Sequence, residues 1–516
     1  MPTFSSFRRG PPTPLRRGGS TSGHWYNIRA DRGIPGFEAA RGPPANPQLG
    51  ASTETRWGQP GNRSESLVHG SGRWIASLLM STYLLCASPI QGHVAPMIAI
   101  ARDLVGRGHD VTVLTGSRFR DTVLAAGADH RPLVGIADYD DRVMQDLLPE
   151  RDRHRGIAKL EYDVQTMFVR PVPDQYRAVE QAIAELAPDA ILAEGAFAGI
   201  VPLLLDDPAS RPPILGVGVI PLVQLSVDTA PAGLGLAPKP GAFGRLRNRV
   251  LNGLVTKVIF RKTQALAQQV MRDLGRPGLD PFVFDSTRKC DRYLQLSPAE
   301  FEYPRSDLSP NVRFVGTVLP PAPADPALPS WWDELDGDRP VVHVTQGTID
   351  NKDFDRLVRP TLDALADRDV LVVVATGGRP VEELGELPGN ARAAEFLPYD
   401  RLLPKTDVFV TNAGFGGTQY ALSHGVPIVA AGDTEDKPEV SMRVQWAGVG
   451  VNLRTGTPTA AAVAKAVDEV LADRTYRDRA RAMAARIREY DTFDLIEAEL
   501  EASVIAASLR LETPVG

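Results

Sequence analysis

Apolar residues fall into two alternating patterns along this chain. Short continuous apolar runs are separated by segments in which apolar side chains recur every three or four positions. The first pattern marks strands buried on both faces, and the second marks one face of a helix. Residues 82–88 predict a strand, residues 89–95 a loop, and residues 96–106 a helix opened by Pro96 in its first turn. Met97, Ile98, Ala101, Leu104 and Val105 share one face of that helix, and residues 110–115 predict the next strand. The unit is a βαβ crossover between parallel strands. Further strands are predicted at 190–193, 214–219, 293–296 and 312–314. A proline-rich stretch at 316–340 reads as a linker. A second series then begins, with strands at 341–345, 370–375, 393–396, 408–411 and 426–431. Its helices are predicted at 354–366, 459–472 and 480–510, the last with a break near 490–494. The pattern predicts an α/β protein of two doubly wound, Rossmann-like domains. A ligand is expected in the cleft between them, at the carboxyl ends of the strands.

Composition narrows the classes. The 516 residues are 43% hydrophobic and 23% charged, with a net charge of −6, which argues against a generic nucleic-acid binder. The two cysteines, Cys86 and Cys290, are too few for a disulfide scaffold or a zinc site. They fit a reducing cytoplasm, and Cys86 is expected as a buried thiol. The apolar run at 74–87 is too short to span a bilayer, so no integral membrane association is expected. Residues 1–73 are rich in Gly, Pro, Ser and Arg without sustained periodicity, which predicts disorder. The native chain is expected to start at or near Met80, making residues 1–79 a disordered or non-native extension.

The most informative stretch is 408–431. It reads as strand, a loop at 412–417 with Gly414, Gly416 and Gly417, a short helix at 418–424 capped by Gly425, and strand. Such a loop lets backbone N–H groups meet a phosphate or diphosphate at the positive end of a helix dipole; an ordinary glycine turn would read the same. In the first half, SPIQGHVAP places His93 after the first strand, where it can serve as a general base or simply cap the following helix. Its position favours the base. Glu194, ending the run AILAEGAF, could orient that histidine; on its own it reads as a solvated loop glutamate. Gln346, Gly347 and Thr348 follow the strand VVHVT and could add backbone N–H groups to the anion site. Asp436 could accept hydrogen bonds from sugar hydroxyls, and with Lys437 it also reads as a charged surface turn. Walker A, HExxH and GxSxG motifs are absent, and the first βα turn lacks GxGxxG.

Taken together, these segments resemble the nucleotide-sugar-dependent glycosyltransferases of the GT-B fold, family GT1, over residues from about 81 to the last helix. SPIQGHVAP resembles that family's PxxGHxxP loop. FLPYDRLLP resembles its base-binding loop, and the segment from Asn412 through TEDKPEVSMRVQWAGVGV resembles its donor signature. The resemblance implies that His93 deprotonates the acceptor hydroxyl and that Glu194, where the family has aspartate, orients it. It implies that the backbone of Leu397 meets the nucleobase. Gly414, Gly416, Gly417 and Thr418 would cradle the diphosphate, and Asp436 would hold the donor sugar. Several further positions depart from the pattern. Asn412 replaces a phosphate-contacting histidine, Gly417 a threonine or serine, Tyr399 the glutamine of the base-binding loop, and Lys437 a sugar-contacting glutamine. Ala413 also stands where the family has glycine. Lys437 is a candidate to restore the charge missing at Asn412 or to select an unusual donor.

The implied activity is inverting transfer of a hexose from an NDP-sugar, UDP-linked by expectation, to a hydroxyl of a small lipophilic acceptor. No metal or other cofactor is expected, because loop amides and the helix dipole would stabilise the leaving group. The implied organisation is an acceptor-binding domain at 80–316, a linker at 317–340, an NDP-sugar-binding domain at 341–480 and a C-terminal helix at 481–516 crossing back to the first domain. The acceptor is expected among residues 138–265, with Tyr162, Phe168 and Leu222 as apolar candidates. Two other readings are a catalytically weak nucleotide-sugar-binding accessory protein and an NDP-sugar epimerase. The PxxGHxxP loop argues against the epimerase.

Overall fold

Strand β1 (Thr82–Cys86) shows how the first sheet is built. Tyr83 and Leu85 point to one face and Leu84 and Cys86 to the other, and all four are fully buried, so both faces must be covered. The computed structural model describes residues 80–143, 147–155, 157–319, 327–348 and 350–512. The expected extension at 1–79 and residues 320–326 of the linker lie outside them.

Around β1 lie β2 (Asp110–Thr115), β3 (Asp129–Pro132), β4 (Ala190–Glu194), β5 (Ile214–Gly218), β6 (Arg292–Gln295) and β7 (Val312–Phe314). They form an all-parallel sheet in the order β3-β2-β1-β4-β5-β6-β7. Its helices are α1 (Gln91–Gly106), α2 (Arg120–Ala125), α3 (Ile157–Val164), α4 (Val172–Leu186), α5 (Gly241–Leu254) and α6 (Arg261–Asp273). π-helical turns at Gln165–Val169 and Val255–Ile259 follow α3 and α5.

The second sheet comprises β8 (Val341–Thr345), β9 (Leu371–Ala375), β10 (Ala391–Ala394), β11 (Val408–Thr411), β12 (Ile428–Ala430) and β13 (Gly450–Asn452). It is also parallel, in the order β10-β9-β8-β11-β12-β13. It is flanked by α7 (Val358–Leu365), α8 (Tyr399–Leu402), α9 (Phe415–Ser423), α10 (Lys437–Ala447), α11 (Ala460–Ala472) and α12 (Arg474–Ile487). Each sheet therefore reverses its strand order once, between β1 and β4 and between β8 and β11. Crevices at such reversals are where doubly wound sheets take their ligands.

The last helix, α13 (Thr492–Glu512), packs on the first sheet. Ile496 and Leu500 join the core beneath α1, and Arg107 at the end of α1 pairs with Asp494 and Glu497. Much of the stretch read as a linker is packed: Trp332 and Leu335 bury themselves against β8 and β9. Cys86 and Cys290 are free and buried, and burial holds both thiols above their usual range. Among the described residues no helix is long and apolar enough to cross a membrane.

Two predicted boundaries near the site are corrected. Helix α1 starts at Gln91, so Pro96 lies inside it and His93 sits in its first turn rather than in a loop. An outside carboxylate makes the early start possible: Asp141 accepts the N–H of Gln91 at 2.7 Å. Helix α9 likewise starts at Phe415, with Gly414 as its N-cap, so Gly416 and Gly417 belong to the helix and not to a loop.

Candidate active site

The first-sheet reversal brings together two residues 101 positions apart. Glu194 is the last residue of β4, and His93 is one turn into the helix after β1. His93 Nδ1 lies 2.9 Å from Glu194 Oε2. The carboxylate also accepts the N–H groups of Ser88, at 3.2 Å, and Ala196, at 2.8 Å. Burial alone would raise the Glu194 pKa, but His93 and these donors hold it below the usual carboxylate range. Burial likewise opposes charging of His93, yet Glu194 outweighs it, and the imidazole stands above its ordinary value. With Nδ1 committed to the carboxylate, Nε2 is the nitrogen left to accept a proton. The ring of Phe168, from the first π-helical turn, stacks on His93 with centroids 6.4 Å apart. The other two acceptor-side candidates lie elsewhere: Tyr162 stacks on His154, and Leu222 is buried beside Tyr293 and Val312.

At the second reversal, Asn412 follows β11 and Gln346 follows β8. Asn412 donates its amide to the Gln346 carbonyl at 2.6 Å, joining the two strand ends. The Gln346 side chain is turned away: it accepts the N–H groups of Leu357 and Val358 and so caps α7. The Gly347 N–H donates to Thr345 Oγ1 within its own turn, and Thr348 is exposed.

Beyond Asn412, Ala413 has φ 63°, the left-handed conformation that favours glycine. A Cβ built on Gly414, Gly416 or Gly417 would meet no atom within 4 Å, so the N-terminal turn of α9 faces open space. Its first intrahelical bond is the Thr418 N–H to the Gly414 carbonyl at 3.0 Å, which leaves the preceding amides outward. Thr418 is a correction. It is fully buried, and its hydroxyl is enclosed within the protein, because the helix has turned that position inward.

Asp436 is the N-cap residue of α10. Its carboxyl is pushed up to about 6 by burial, with Glu435 adding to the rise and Lys437 opposing it. Asp436 and Glu435 both add to the rise of the His93 pKa. The idea that Lys437 restores the charge missing at Asn412 is also corrected. Its ammonium is buried, paired with Glu435, and 3.6 Å from Asp350.

Tyr399 is partly buried against the core: its hydroxyl is 3.1 Å from His343 Nε2, and its ring packs on Phe409 and Tyr420. Leu397 packs partly buried near Trp332. Its neighbour Phe396 was not singled out in the sequence, yet it is 67% exposed beyond the end of β10, an aromatic face open to a ligand. Asp141 and Glu435 were also missed. Asp141 lies in no recognisable motif and acts on Gln91 across the fold, while Glu435, inside the donor-signature segment, stands out only through its pairing with Lys437.

A second seam lies beside this site. Arg443 of α10 is 1% exposed and pairs with Glu302 at 2.9 Å and Glu439 at 3.0 Å, with its guanidinium over the Tyr303 ring. Glu439 accepts the N–H groups of Gly233 and Gly235, and Glu302 accepts that of Leu222. Helix α10 is thereby tied to loops of the first sheet.

Comparison with known proteins decides the family. Residues 359–491 match the C-terminal domain of the erythromycin biosynthesis protein CIII-like family. The chain is 40% identical to the 4'-demethylrebeccamycin synthase of Lentzea aerocolonigenes over 421 residues, covering 80% of this chain and 98% of that one. The chain belongs to the GT1 glycosyltransferases. It is also 33% identical to UDP-glucosyltransferase A1 of Starmerella bombicola, over 81% of this chain and 91% of that one. In fold it is similar to the crystal structure of the kitacinnamycin glycosyltransferase, with a TM-score of 0.63, 21% identity, and coverage of 82% of this chain and 98% of that one. The fold is GT-B, and the protein is a hexosyltransferase acting between a sugar-nucleotide donor and an acceptor. The relatives do not favour the accessory-protein or epimerase readings.

Proposed function

We propose that this glycosyltransferase moves a hexose from a UDP-sugar to a hydroxyl of a small lipophilic natural product, with inversion and without a metal. One observation carries the reading: His93 Nδ1 is held 2.9 Å from the buried Glu194 carboxylate at the first sheet reversal, which leaves Nε2 for the acceptor proton. His93 Nε2 takes the acceptor O–H proton as that oxygen attacks the anomeric carbon. Glu194 holds the imidazole in the required tautomer and stabilises the imidazolium. The bond from the anomeric carbon to the diphosphate oxygen breaks, and the nucleoside diphosphate leaves with the bonding pair. The outward amides at the start of α9 and its dipole receive that charge.

Asp436 accepts from sugar hydroxyls, and Phe396 offers its open face to the base next to the Leu397 backbone. Residues 80–316 serve as the acceptor side and 341–480 as the donor side, and Phe168 flanks the acceptor oxygen. The UDP assignment draws support from relatives named as UDP-glucosyltransferases. The buried free thiols fit a cytoplasmic setting. The test is a panel of UDP- and TDP-sugars with phenolic and aliphatic acceptors, followed by product mass and the anomeric coupling constant. Retained configuration, or an undiminished rate in His93→Ala, would sink the mechanism. A rate abolished by EDTA and restored by a divalent cation would sink metal independence.

A further inference from the structure

Helix α5 and the π-helical turn after it carry an apolar stripe that no part of the described structure covers. Phe243 is 90% exposed, and Leu246, Val250, Leu254 and Val258 are between 45% and 64% exposed. They follow one another in steps of three and four residues, so they share one side of the helix. At 1.5 Å per residue the stripe is about 22 Å long. Large aliphatic and aromatic side chains in an unbroken exposed row mark a surface that meets something apolar.

Charge says what that is. Residues 241–272 contain Arg245, Arg247, Arg249, Lys257, Arg261, Lys262 and Arg272 and no Asp or Glu, in a chain whose net charge is −6. Arg245 is paired with Asp228, and Arg247 donates to the Ala237 carbonyl and to Asn248 Oδ1. Arg249, Lys257, Arg261 and Lys262 are exposed, and among the described residues none of them forms an ion pair. An apolar stripe bordered by unpaired cations complements a lipid surface with anionic head groups. A second copy of the chain would instead set these cations against their equals.

We propose that α5 and its π-helical extension dock this enzyme on an anionic membrane surface, with the stripe in the interface and the cations at the phosphates. The position suits a lipophilic acceptor. The segment packs through Val255 and Phe260 on Val164, and Thr263 accepts a hydrogen bond from Gln165 at 3.1 Å. Gln165 opens the turn that holds Phe168 against His93. The docking itself does not depend on the acceptor assignment.

The test is sedimentation of the full chain with large vesicles of phosphatidylcholine, alone or mixed with phosphatidylglycerol. Binding to the mixed vesicles, weakening as salt rises, is expected. Phe243→Ser/Val250→Ser should weaken it about tenfold or more, and Lys257→Gln/Arg261→Gln by about tenfold. Transfer to a water-soluble acceptor should be unchanged in both variants, which shows that they fold. Failure to sediment, binding that ignores head-group charge, or wild-type binding by the stripe variant overturns the proposal. A lipid-free dimer that Phe243→Ser dissolves overturns it in favour of a second copy.

Discussion

Glu194 Oε2 lies 2.9 Å from His93 Nδ1, and this contact bears on both the tautomer and the titration of the imidazole. Because the His93 pKa is raised, its imidazole gives up its proton at a higher pH than an unperturbed histidine would. If it is the base, the acid limb of the rate profile is expected to be shifted upward from the ordinary histidine value. Glu194→Gln removes the largest raising influence and should move the limb to lower pH while lowering the plateau. His93→Ala should cost about 10²- to 10⁴-fold in turnover. A pH–rate series on the three proteins checks this.

Asp436 gives the opposite kind of signal. Its raised folded-state pKa means that stability present below its unfolded value is lost as the pH rises through about 6. Asp436→Asn should then raise neutral-pH stability by on the order of 1 kcal/mol, an advantage that vanishes near pH 4. Transfer should fall in the same variant. Denaturant midpoints at the two pH values, read beside activity, separate the two effects.

The open space before α9 predicts a gain as well as a loss. Gly417→Ser places a hydroxyl in that space and should tighten donor binding by about 1 kcal/mol, or roughly fivefold. Gly416→Leu fills the space and should abolish binding with little change in melting temperature. Calorimetric titration with the nucleoside diphosphate reads both.

Phe396→Ala should weaken the same titration by about 1–3 kcal/mol if the ring stacks on the base. The loss should be similar whichever sugar the donor carries.

Ala413 holds a left-handed conformation that costs about 1 kcal/mol for a residue with a Cβ. Ala413→Gly should be stabilising by about that amount, with the donor affinity retained.

Much of this arrangement was legible in the sequence. The strands at 110–115, 312–314, 341–345 and 408–411 follow from continuous apolar runs and are observed with those limits. Strands β3 and β13 escaped because DHRP and GVN carry too little apolar signal and are strands only through pairing with β2 and β12. The early start of α1 could not be read, since its cap, Asp141, lies 50 residues away. The His93–Glu194 partnership was legible through resemblance alone. The burial of Thr418 and the pairing of Lys437 with Glu435 depend on packing that no local pattern encodes.

The ties made by Arg443 and Glu439 bear on how substrates come and go. Parting α10 from the loops at Leu222 and Gly233–Gly235 would strand a guanidinium and two carboxylates that now satisfy one another away from water. That flank of the crevice therefore acts as a closed spine.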